Sequence, residues 1–231
     1  MAGRVFLITG ATGGIGAATA RRAASAGYRV VLAGRNEARL NALAEELGGP
    51  QIALSVRCDV QDWGAQQRLV ERTLDAWGRL DVVFANAGVA AGAGFVHGDA
   101  TPDEWRTMVL TNIFGVAATA RLTLPLLIES RGHLLLMGSV VGRVPIPGSF
   151  YSATKWAVTG MSESIRAELI GTQVRVTVIQ AGFVDTPLLA RRPDGPILAA
   201  EDVARTVLWA LDQPPLVDIN EVVLRPVGQL R

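Results

Sequence analysis

A short apolar run near the start of the chain leads directly into a glycine-rich segment. Val5-Phe-Leu-Ile-Thr9 has the composition of a buried strand, and Gly10-Ala-Thr-Gly-Gly-Ile-Gly16 follows it at once. An Ala-rich stretch then runs to Gly27, a residue type that commonly ends a helix. In such a strand–turn–helix the glycines let the backbone approach a pyrophosphate, and the helix N-terminus offers free N–H groups. The segment therefore predicts a dinucleotide site that uses Gly10, Thr12, Gly13, Gly14, Ile15 and Gly16.

Apolar runs and amphipathic stretches alternate along the whole chain. We predict strands at residues 4–9, 28–33, 51–56, 80–84, 132–137, 173–179 and 220–224, and helices at 15–26, 36–47, 63–77, 103–129, 150–170 and 201–212. This alternation favours a parallel sheet with helices on both faces, and 231 residues suit a single domain. Ligands of such α/β sheets bind beyond the carboxyl ends of the strands.

The charge balance and the few Cys and His residues argue against several classes of function. A formal net charge of +1 gives no electrostatic basis for binding nucleic acid or an anionic membrane. Cys58 is the single cysteine, which excludes an intrachain disulfide and favours a cytoplasmic, reducing location; we interpret it as a packing residue. Without a Cys/His cluster, no metal site is predicted. We interpret His133 as structural and His97 as a solvated loop residue, with substrate contact as the alternative.

The apolar segments are short for membrane insertion. No uninterrupted apolar run approaches about 18 residues, so we expect no membrane span. The run after Arg4 is too short for a signal peptide, and it enters the glycine-rich turn instead.

Tyr151 and Lys155 stand four residues apart in a predicted helix, so they lie on one face. An ammonium beside a phenol favours the phenolate and lowers the phenol's pKa from its reference value of about 10. A tyrosine in that setting can give or take a proton near neutral pH. Ser139, twelve residues upstream, can hydrogen-bond a substrate oxygen on which charge develops. Together the three predict proton transfer to or from a carbonyl or alcohol oxygen.

The second predicted strand ends in Gly34-Arg35-Asn36, a turn that bears on the choice of dinucleotide. Proteins that prefer NAD usually carry an acidic residue here, which binds the ribose 2′-hydroxyl. This turn has no carboxylate, and the planar guanidinium of Arg35 suits a 2′-phosphate. We therefore expect Arg35 and Asn36 to contact NADP(H). The alternative is that Arg35 is a surface charge at the start of the next helix.

Further motifs follow in a fixed order. They are Asn86-Ala87-Gly88, Asn112, Ser139, Tyr151, Lys155 and Ala181-Gly182-Phe183-Val184-Asp185-Thr186. With the glycine-rich turn, they make essentially the whole chain resemble the classical short-chain dehydrogenase/reductase family. The chain departs from the family's Pro-Gly-x-Val-x-Thr segment in having Ala181 in place of the proline, which loosens the turn but keeps Thr186.

This resemblance implies a Rossmann fold with seven strands in the order 3-2-1-4-5-6-7. It implies an NADP(H)-dependent oxidoreductase that acts on a small carbonyl or alcohol substrate. It also implies that Asn112, Ser139, Tyr151 and Lys155 are catalytic. Asn112 would hold a water that links Lys155 to solvent for proton replacement.

The same resemblance implies further cofactor contacts. Lys155 would bind the ribose hydroxyls, Asp59 the adenine, and Val184 and Thr186 the nicotinamide carboxamide. The remaining implied contacts are Val60, Asn86, Ala87, Gly88, Tyr151 and Gly182. A homo-oligomer, a tetramer or a dimer, is also implied, and the helix after Tyr151 carries more apolar residues than one buried face needs.

Two alternatives remain open. The spacing Gly10-x-x-Gly13-x-x-Gly16 also fits the extended branch of the family, which includes epimerases and dehydratases. Only 45 residues follow Thr186, which is short for the C-terminal substrate domain of that branch and favours the classical one. A non-catalytic NADP-binding regulatory protein on the same fold is the other alternative.

Residues 187–200 are short, rich in Pro and Gly, and predicted to form a lid that closes over substrate. The C-terminal stretch after Asp218 resembles that of a subgroup acting on small 3-hydroxy acids, serine among them. Arg191 or Arg192 could bind a substrate carboxylate; the alternative is a solvated pair of arginines.

Overall fold

The computed structural model describes residues 3–92, 94–189 and 192–229, and a seven-stranded parallel sheet forms its centre. The strands are β1 Val5–Thr9, β2 Arg29–Gly34, β3 Ala53–Arg57, β4 Val82–Ala85, β5 His133–Met137, β6 Arg175–Ala181 and β7 Glu221–Leu224. Their order is β3-β2-β1-β4-β5-β6-β7, which confirms the expected topology.

Helices cover both faces of the sheet. They are α1 Gly14–Ser25, α2 Glu37–Glu46, α3 Trp63–Trp77, α4 Pro102–Val109, α5 Gly115–Ser130, α6 Phe150–Glu168 and α7 Ala200–Leu211. Short 3₁₀ turns at Gly49–Gln51 and Val140–Gly142 were not predicted. The outer bounds of every predicted helix and strand lie within two residues of the observed ones.

Side chains of one strand alternate between two hydrophobic cores. Phe6 and Ile8 of β1 pack in a cluster with α1, α2 and α7, and Val5 and Leu7 pack with α3, α5 and α6. Because both faces are covered, the central strand β1 is a continuous, fully buried run with no exposed side.

The long helix predicted at 103–129 is interrupted by a π-helical turn, Leu110–Phe114, between α4 and α5. Gly115 follows this turn and lies so close to Val60 that an added Cβ would come within 2.8 Å of Val60 Cγ2. The turn directs Asn112 into the interior, where it is fully buried. Single π turns of this kind occur often at functional sites.

The same segment, Pro102–Ser130, is long enough for a membrane span, and its most apolar 18-residue window has a mean hydropathy of 1.4. The expectation that no uninterrupted apolar run approaches about 18 residues is not contradicted, since polar residues such as Asn112 and Arg121 interrupt this segment. Half of the most apolar window is buried within the fold, and Val116, Ala120 and Leu127 belong to the core. Packing against the sheet accounts for the apolar character of this segment.

Cys58 and His133 are both buried in positions that suit structural roles. Cys58 is buried, and burial raises its pKa to about 11, as suits a packing residue. His133 begins β5, is fully buried, and lies with Nε2 2.7 Å from Thr177 Oγ1, as predicted for a structural residue. Within residues 3–92, 94–189 and 192–229 there is no group of three His, Cys, Asp or Glu side chains that could hold a metal.

Candidate active site

A cleft of about 930 Å³ lies beyond the carboxyl ends of the strands. Its walls are loops that follow β1 to β6, so parallel pairing brings the separate motifs together. The predicted cofactor-binding residues that line it are Gly10, Thr12, Gly13, Gly14, Ile15, Gly16, Arg35, Asn36, Asp59, Val60, Asn86, Ala87, Gly88, Tyr151, Lys155, Gly182, Val184 and Thr186. Ser139 also lines the cleft, whereas Asn112 is buried next to the lining residue Val89.

The glycine-rich turn is wound too tightly for most side chains. Gly10 has φ of +64°, in the left-handed region that favours glycine. A Cβ on Gly16 would lie 2.2 Å from the carbonyl oxygen of Gly10, and one on Gly14 would lie 2.9 Å from Thr186 Cγ2. In the part of the chain that the structure describes, no side chain caps α1, so its first N–H groups face the cleft. This cradle fits a pyrophosphate.

Asn86 supports this turn from the neighbouring strand. Its Nδ2 donates to the carbonyl oxygens of Thr9 at 2.9 Å and Gly10 at 3.3 Å. Thr9 Oγ1 in turn accepts the backbone N–H groups of Asn86 and Ala87. The side chain of Asn86 thus joins the ends of β1 and β4, a positioning role that its predicted cofactor contact did not anticipate.

The turn after β2 and the first turn of α2 each present an arginine to the cleft. Arg35 and Arg39 are both exposed and line it. Asn36 caps α2 by accepting the backbone N–H of Arg39 at 3.0 Å, so its side chain is engaged within the helix. Arg39, in the first turn of α2, was missed from the sequence. Asp59, after β3, lines the same region and accepts the N–H of Gln61.

Ser139, Tyr151 and Lys155 come together at the base of the cleft. Ser139 follows β5 after a single glycine; its hydroxyl donates to the carbonyl oxygen of Ala181 at 3.3 Å and also acts to lower the pKa of the Tyr151 phenol. Ser149 caps α6 through the N–H of Ser152 at 3.1 Å, which fixes the turn that carries Tyr151. Lys155 Nζ donates to the carbonyl oxygen of Met137 at 2.8 Å and lies 5.6 Å from the centre of the Tyr151 ring.

Burial governs the protonation of this group. It raises the pKa of Tyr151 to about 12, while the hydrogen bond from Ser139 acts in the opposite direction. Burial also lowers the pKa of Lys155 to about 8. The expectation that Lys155, helped by an oxidised nicotinamide, lowers the pKa of Tyr151 concerns the cofactor-bound protein and stays a prediction, whereas burial dominates this pKa in the free protein. Tyr151 holds its proton at neutral pH and is positioned as an acid.

Asn112 has side-chain partners that the sequence did not predict. Its Oδ1 accepts the N–H of Val89 at 2.9 Å, and its Nδ2 donates to the carbonyl oxygen of Val89 at 2.8 Å and to Thr154 Oγ1 at 3.0 Å. The amide group is thus used to hold the loop after β4 against α6. The water-binding role implied for Asn112 cannot fall to its amide N–H groups, which these two bonds occupy.

Gln180 is a further site residue that was missed. It is fully buried in β6, and its Oε1 accepts the N–H of Ser139 at 2.7 Å. Its Nε2 donates to Thr159 Oγ1 at 2.9 Å and to Glu221 Oε1 at 3.1 Å. The side chain therefore ties the Ser139 loop to α6, one turn beyond Lys155. In the sequence, the signal for this role was a single glutamine within a mostly apolar strand.

The segment after β6 forms one wall of the cleft. The backbone N–H of Asp185 donates to the carbonyl oxygen of Leu198 at 2.8 Å, and the N–H of Leu198 donates to the carbonyl oxygen of Phe183 at 2.9 Å. These two bonds join the two ends of the predicted lid. Arg192 pairs with Asp185 at 2.9 Å and is exposed, which matches the interpretation of a solvated arginine. Arg191 lies outside the described residues.

Residues 4–196 match the model of a family described as short chain dehydrogenase. The chain belongs to this family. An uncharacterized oxidoreductase of Staphylococcus epidermidis is 37% identical over 228 residues, which is 97% of each chain. Serine 3-dehydrogenase of Agrobacterium fabrum is 36% identical over 97% of this chain and 94% of its own.

Solved members of the short-chain dehydrogenase family share the whole fold. The closed form of serine dehydrogenase complexed with NADP⁺ is 33% identical, covers 97% of this chain and 96% of its own, and superposes with a TM-score of 0.91. Other matching structures of the family contain NADH or NAD. A nicotinamide dinucleotide is thus the cofactor type of these relatives, and the predicted family and subgroup are confirmed.

The Gln180 network gives a test of how the Ser139 loop is held. Gln180→Leu keeps the approximate volume but leaves the buried N–H of Ser139 without an acceptor, so we expect the free energy of unfolding to fall by about 2–3 kcal/mol. Urea denaturation followed by tryptophan fluorescence at one protein concentration measures it. Gln213→Leu is the matched control, since the Gln213 side chain donates to the carbonyl oxygen of Trp209 at an exposed position, and we expect a loss of less than about 0.5 kcal/mol there. Equal losses in both variants would show that the network contributes nothing.

Proposed function

We propose that this chain is an NADP(H)-dependent oxidoreductase that interconverts a carbonyl group and a secondary alcohol. The observation that carries the proposal is the grouping of Ser139, Tyr151 and the buried Lys155 at the base of the cleft that begins at the glycine-rich turn. Membership of the short-chain dehydrogenase family supports the same chemistry.

The residues present fit a dinucleotide. The uncapped start of α1 and the close approach of Gly16 to Gly10 leave room for a pyrophosphate and N–H groups to bind it. Lys155 would hold the ribose hydroxyls, and Val184 and Thr186 the carboxamide. When bound, the dinucleotide supplies or accepts the hydride.

Tyr151 would give its proton to the substrate oxygen during reduction, because its raised pKa keeps it protonated until charge develops on that oxygen. Ser139 would hydrogen-bond the same oxygen and keep it in line with the phenol. Lys155 would favour return of the proton through its charge, and Asn112 would hold the loop at Val89 in place.

The turn after β2 supports a preference for the phosphorylated dinucleotide. Gly34 provides no carboxylate to repel a 2′-phosphate, and Arg35 and Arg39 supply two guanidinium groups on the same side of the cleft.

We further propose a homo-oligomeric, cytoplasmic enzyme. On α6, Val158 is fully buried, whereas Trp156 is 46% exposed and does not pack fully on the sheet. Such an exposed indole suits a subunit contact. The lone, buried Cys58 suits a reducing compartment.

Replacement of the proposed proton donor tests the mechanism. Tyr151→Phe removes the acidic proton and keeps the ring, so we expect kcat to fall by about 10²- to 10⁴-fold. NADPH binding, followed by cofactor fluorescence, should stay within about twofold, because the glycine-rich turn is untouched. Tyr28→Phe is the matched control at the other tyrosine, which packs against Phe6 away from the cleft. Turnover of the Tyr151 variant near that of the control would overturn the mechanism.

The cofactor preference has its own test. Arg35→Ala should raise KM for NADPH by roughly 10- to 150-fold, because it removes a charge-assisted contact that contributes about 1.5–3 kcal/mol to binding. The kinetics with NADH should stay nearly unchanged. Gly34→Asp should shift the preference further towards NADH by repelling the phosphate.

Gly34→Asn controls for the added volume, since a Cβ at Gly34 meets its nearest atom, Leu40 Cδ2, at 3.6 Å. The asparagine variant should keep the preference for NADPH. Wild-type protein that used NADH as efficiently as NADPH would contradict the assignment.

A further inference from the structure

A fully buried amide side chain lies between the loop after β3 and the start of α5. Gln66, in the first turn of α3, is 1% exposed. Its Nε2 donates to the carbonyl oxygen of Val60 at 2.7 Å and to that of Gly115 at 3.1 Å, and its Oε1 accepts the hydroxyl of Thr119 at 2.7 Å. Both N–H groups and the oxygen of this amide are therefore bonded within the fold.

Val60 is held from two sides. Gln66 binds its backbone carbonyl, and the start of α5 packs directly on its side chain, because a Cβ on Gly115 would lie 2.8 Å from Val60 Cγ2. In a close-packed interior, removal of the amide leaves a carbonyl without its donor and lets the loop move. The position of Val60 thus depends on Gln66.

A second glutamine joins the same loop to the π turn. Gln61 Nε2 donates to Thr111 Oγ1 at 2.9 Å, and the backbone N–H of Gln61 donates to Asp59 Oδ1 at 3.0 Å. Asp59, Val60 and Thr111 all line the cleft, and Thr111 is a lining residue that the sequence did not predict. This wall of the cleft comes from two separate elements, and the two glutamines fix one to the other.

The strand order indicates which half of a dinucleotide would meet this wall. The glycine-rich turn follows β1 at the centre of the sheet, with β2 and β3 on one side and β4 to β6 on the other. Ser139 and Tyr151 belong to the side of β5 and β6. A nicotinamide that reacts beside Tyr151 therefore leaves the adenine half to the loops after β2 and β3, where Asp59 and Val60 lie.

We propose that Gln66 is a positioning residue for the adenine half of the dinucleotide, which it serves by fixing Val60, and that Gln61 serves the same wall by fixing Thr111. The inference rests on the proposed function and deepens its cofactor site. NADP and NAD share the adenine, so the effect of Gln66 is independent of the 2′-phosphate, unlike that of Arg35. It is also separate from the effect of Gln180, which holds Ser139 at the reacting end.

Titration calorimetry tests the binding role in the absence of turnover. The ligands are NADP⁺, NAD⁺ and adenosine 2′,5′-bisphosphate, which lacks the nicotinamide half. Gln66→Leu keeps the approximate volume but removes the donor to Val60, so we expect Kd to rise about tenfold for all three ligands. Arg35→Ala should instead weaken binding of the two ligands that carry a 2′-phosphate and spare NAD⁺.

Gln180→Leu is the matched variant for the kinetics, because Gln180 is also a fully buried amide with three side-chain bonds. With saturating NADPH, Gln66→Leu should keep kcat within about twofold, since the reacting end is untouched. Gln180→Leu should lower kcat by about tenfold or more through a displaced Ser139, and leave Kd for NADP⁺ within about twofold. A general loss of packing would change both quantities alike in the two variants.

Gln61→Leu covers the case in which Gln66→Leu does not fold. This change leaves the buried amide of Gln66 in place and removes only the bond to Thr111. We expect Kd to rise about threefold for all three ligands, and kcat to stay unchanged.

The outcomes separate this inference from the proposed function. Unchanged Kd values in both glutamine variants, a rise confined to the ligands with a 2′-phosphate, or a fall in kcat as large as the rise in Kd would overturn the inference and leave the proposed function standing. Wild-type protein that binds neither dinucleotide and shows no Tyr151-dependent turnover would overturn the proposed function and this inference with it.

Discussion

Parallel pairing of the strands brings the carboxyl ends of β1 to β6 to one edge of the sheet, and every candidate site residue depends on that alignment. Strand ends are where backbone pairing stops, so loops there can carry polar groups without breaking the sheet. Both faces of the sheet are closed by helices, so the cleft at this edge is where a ligand reaches the strand ends.

Burial determines which protonation states Tyr151 and Lys155 favour. Tyr151 and Lys155 are both desolvated, and desolvation drives each towards its neutral form, with the pKa of the phenol raised to about 12 and that of the ammonium lowered to about 8. A neutral phenol suits proton donation during reduction. In the opposite direction the phenolate must form, and the positive charge of an oxidised nicotinamide would stabilise it more than Lys155 alone, since charges interact strongly where water is excluded.

Local sequence patterns were enough to predict much of this structure. The glycine spacing predicted the tight turn because Gly10 and Gly16 meet a steric requirement that other residues cannot. The alternation of strand and helix predicted the sheet, since each short apolar run needs two covered faces. The Tyr151–Lys155 spacing predicted their common helix face because that depends on helix geometry alone.

Features that arise from tertiary contacts were not predictable in the same way. The π turn at Leu110–Phe114 lies within an unbroken apolar pattern, and its neighbour Gly115 is set by contact with Val60, fifty-five residues earlier. Gln180 looked like one polar residue in a strand until its partners on three other segments were seen. The raised pKa of Tyr151 in the free protein was not foreseen, because sequence spacing indicates the nearby ammonium and not the depth of burial.

The phenol pKa of Tyr151 is the most direct measure of the central claim. The chain has two tyrosines, so ¹³Cζ-tyrosine labelling gives two NMR signals, and Tyr151→Phe assigns them. We expect the Tyr151 signal of the free protein not to titrate up to about pH 10.5, and to titrate at lower pH when NADP⁺ is bound. A Tyr151 signal that titrates near the ordinary value of about 10 in the free protein, or that is unmoved by NADP⁺, would contradict the account.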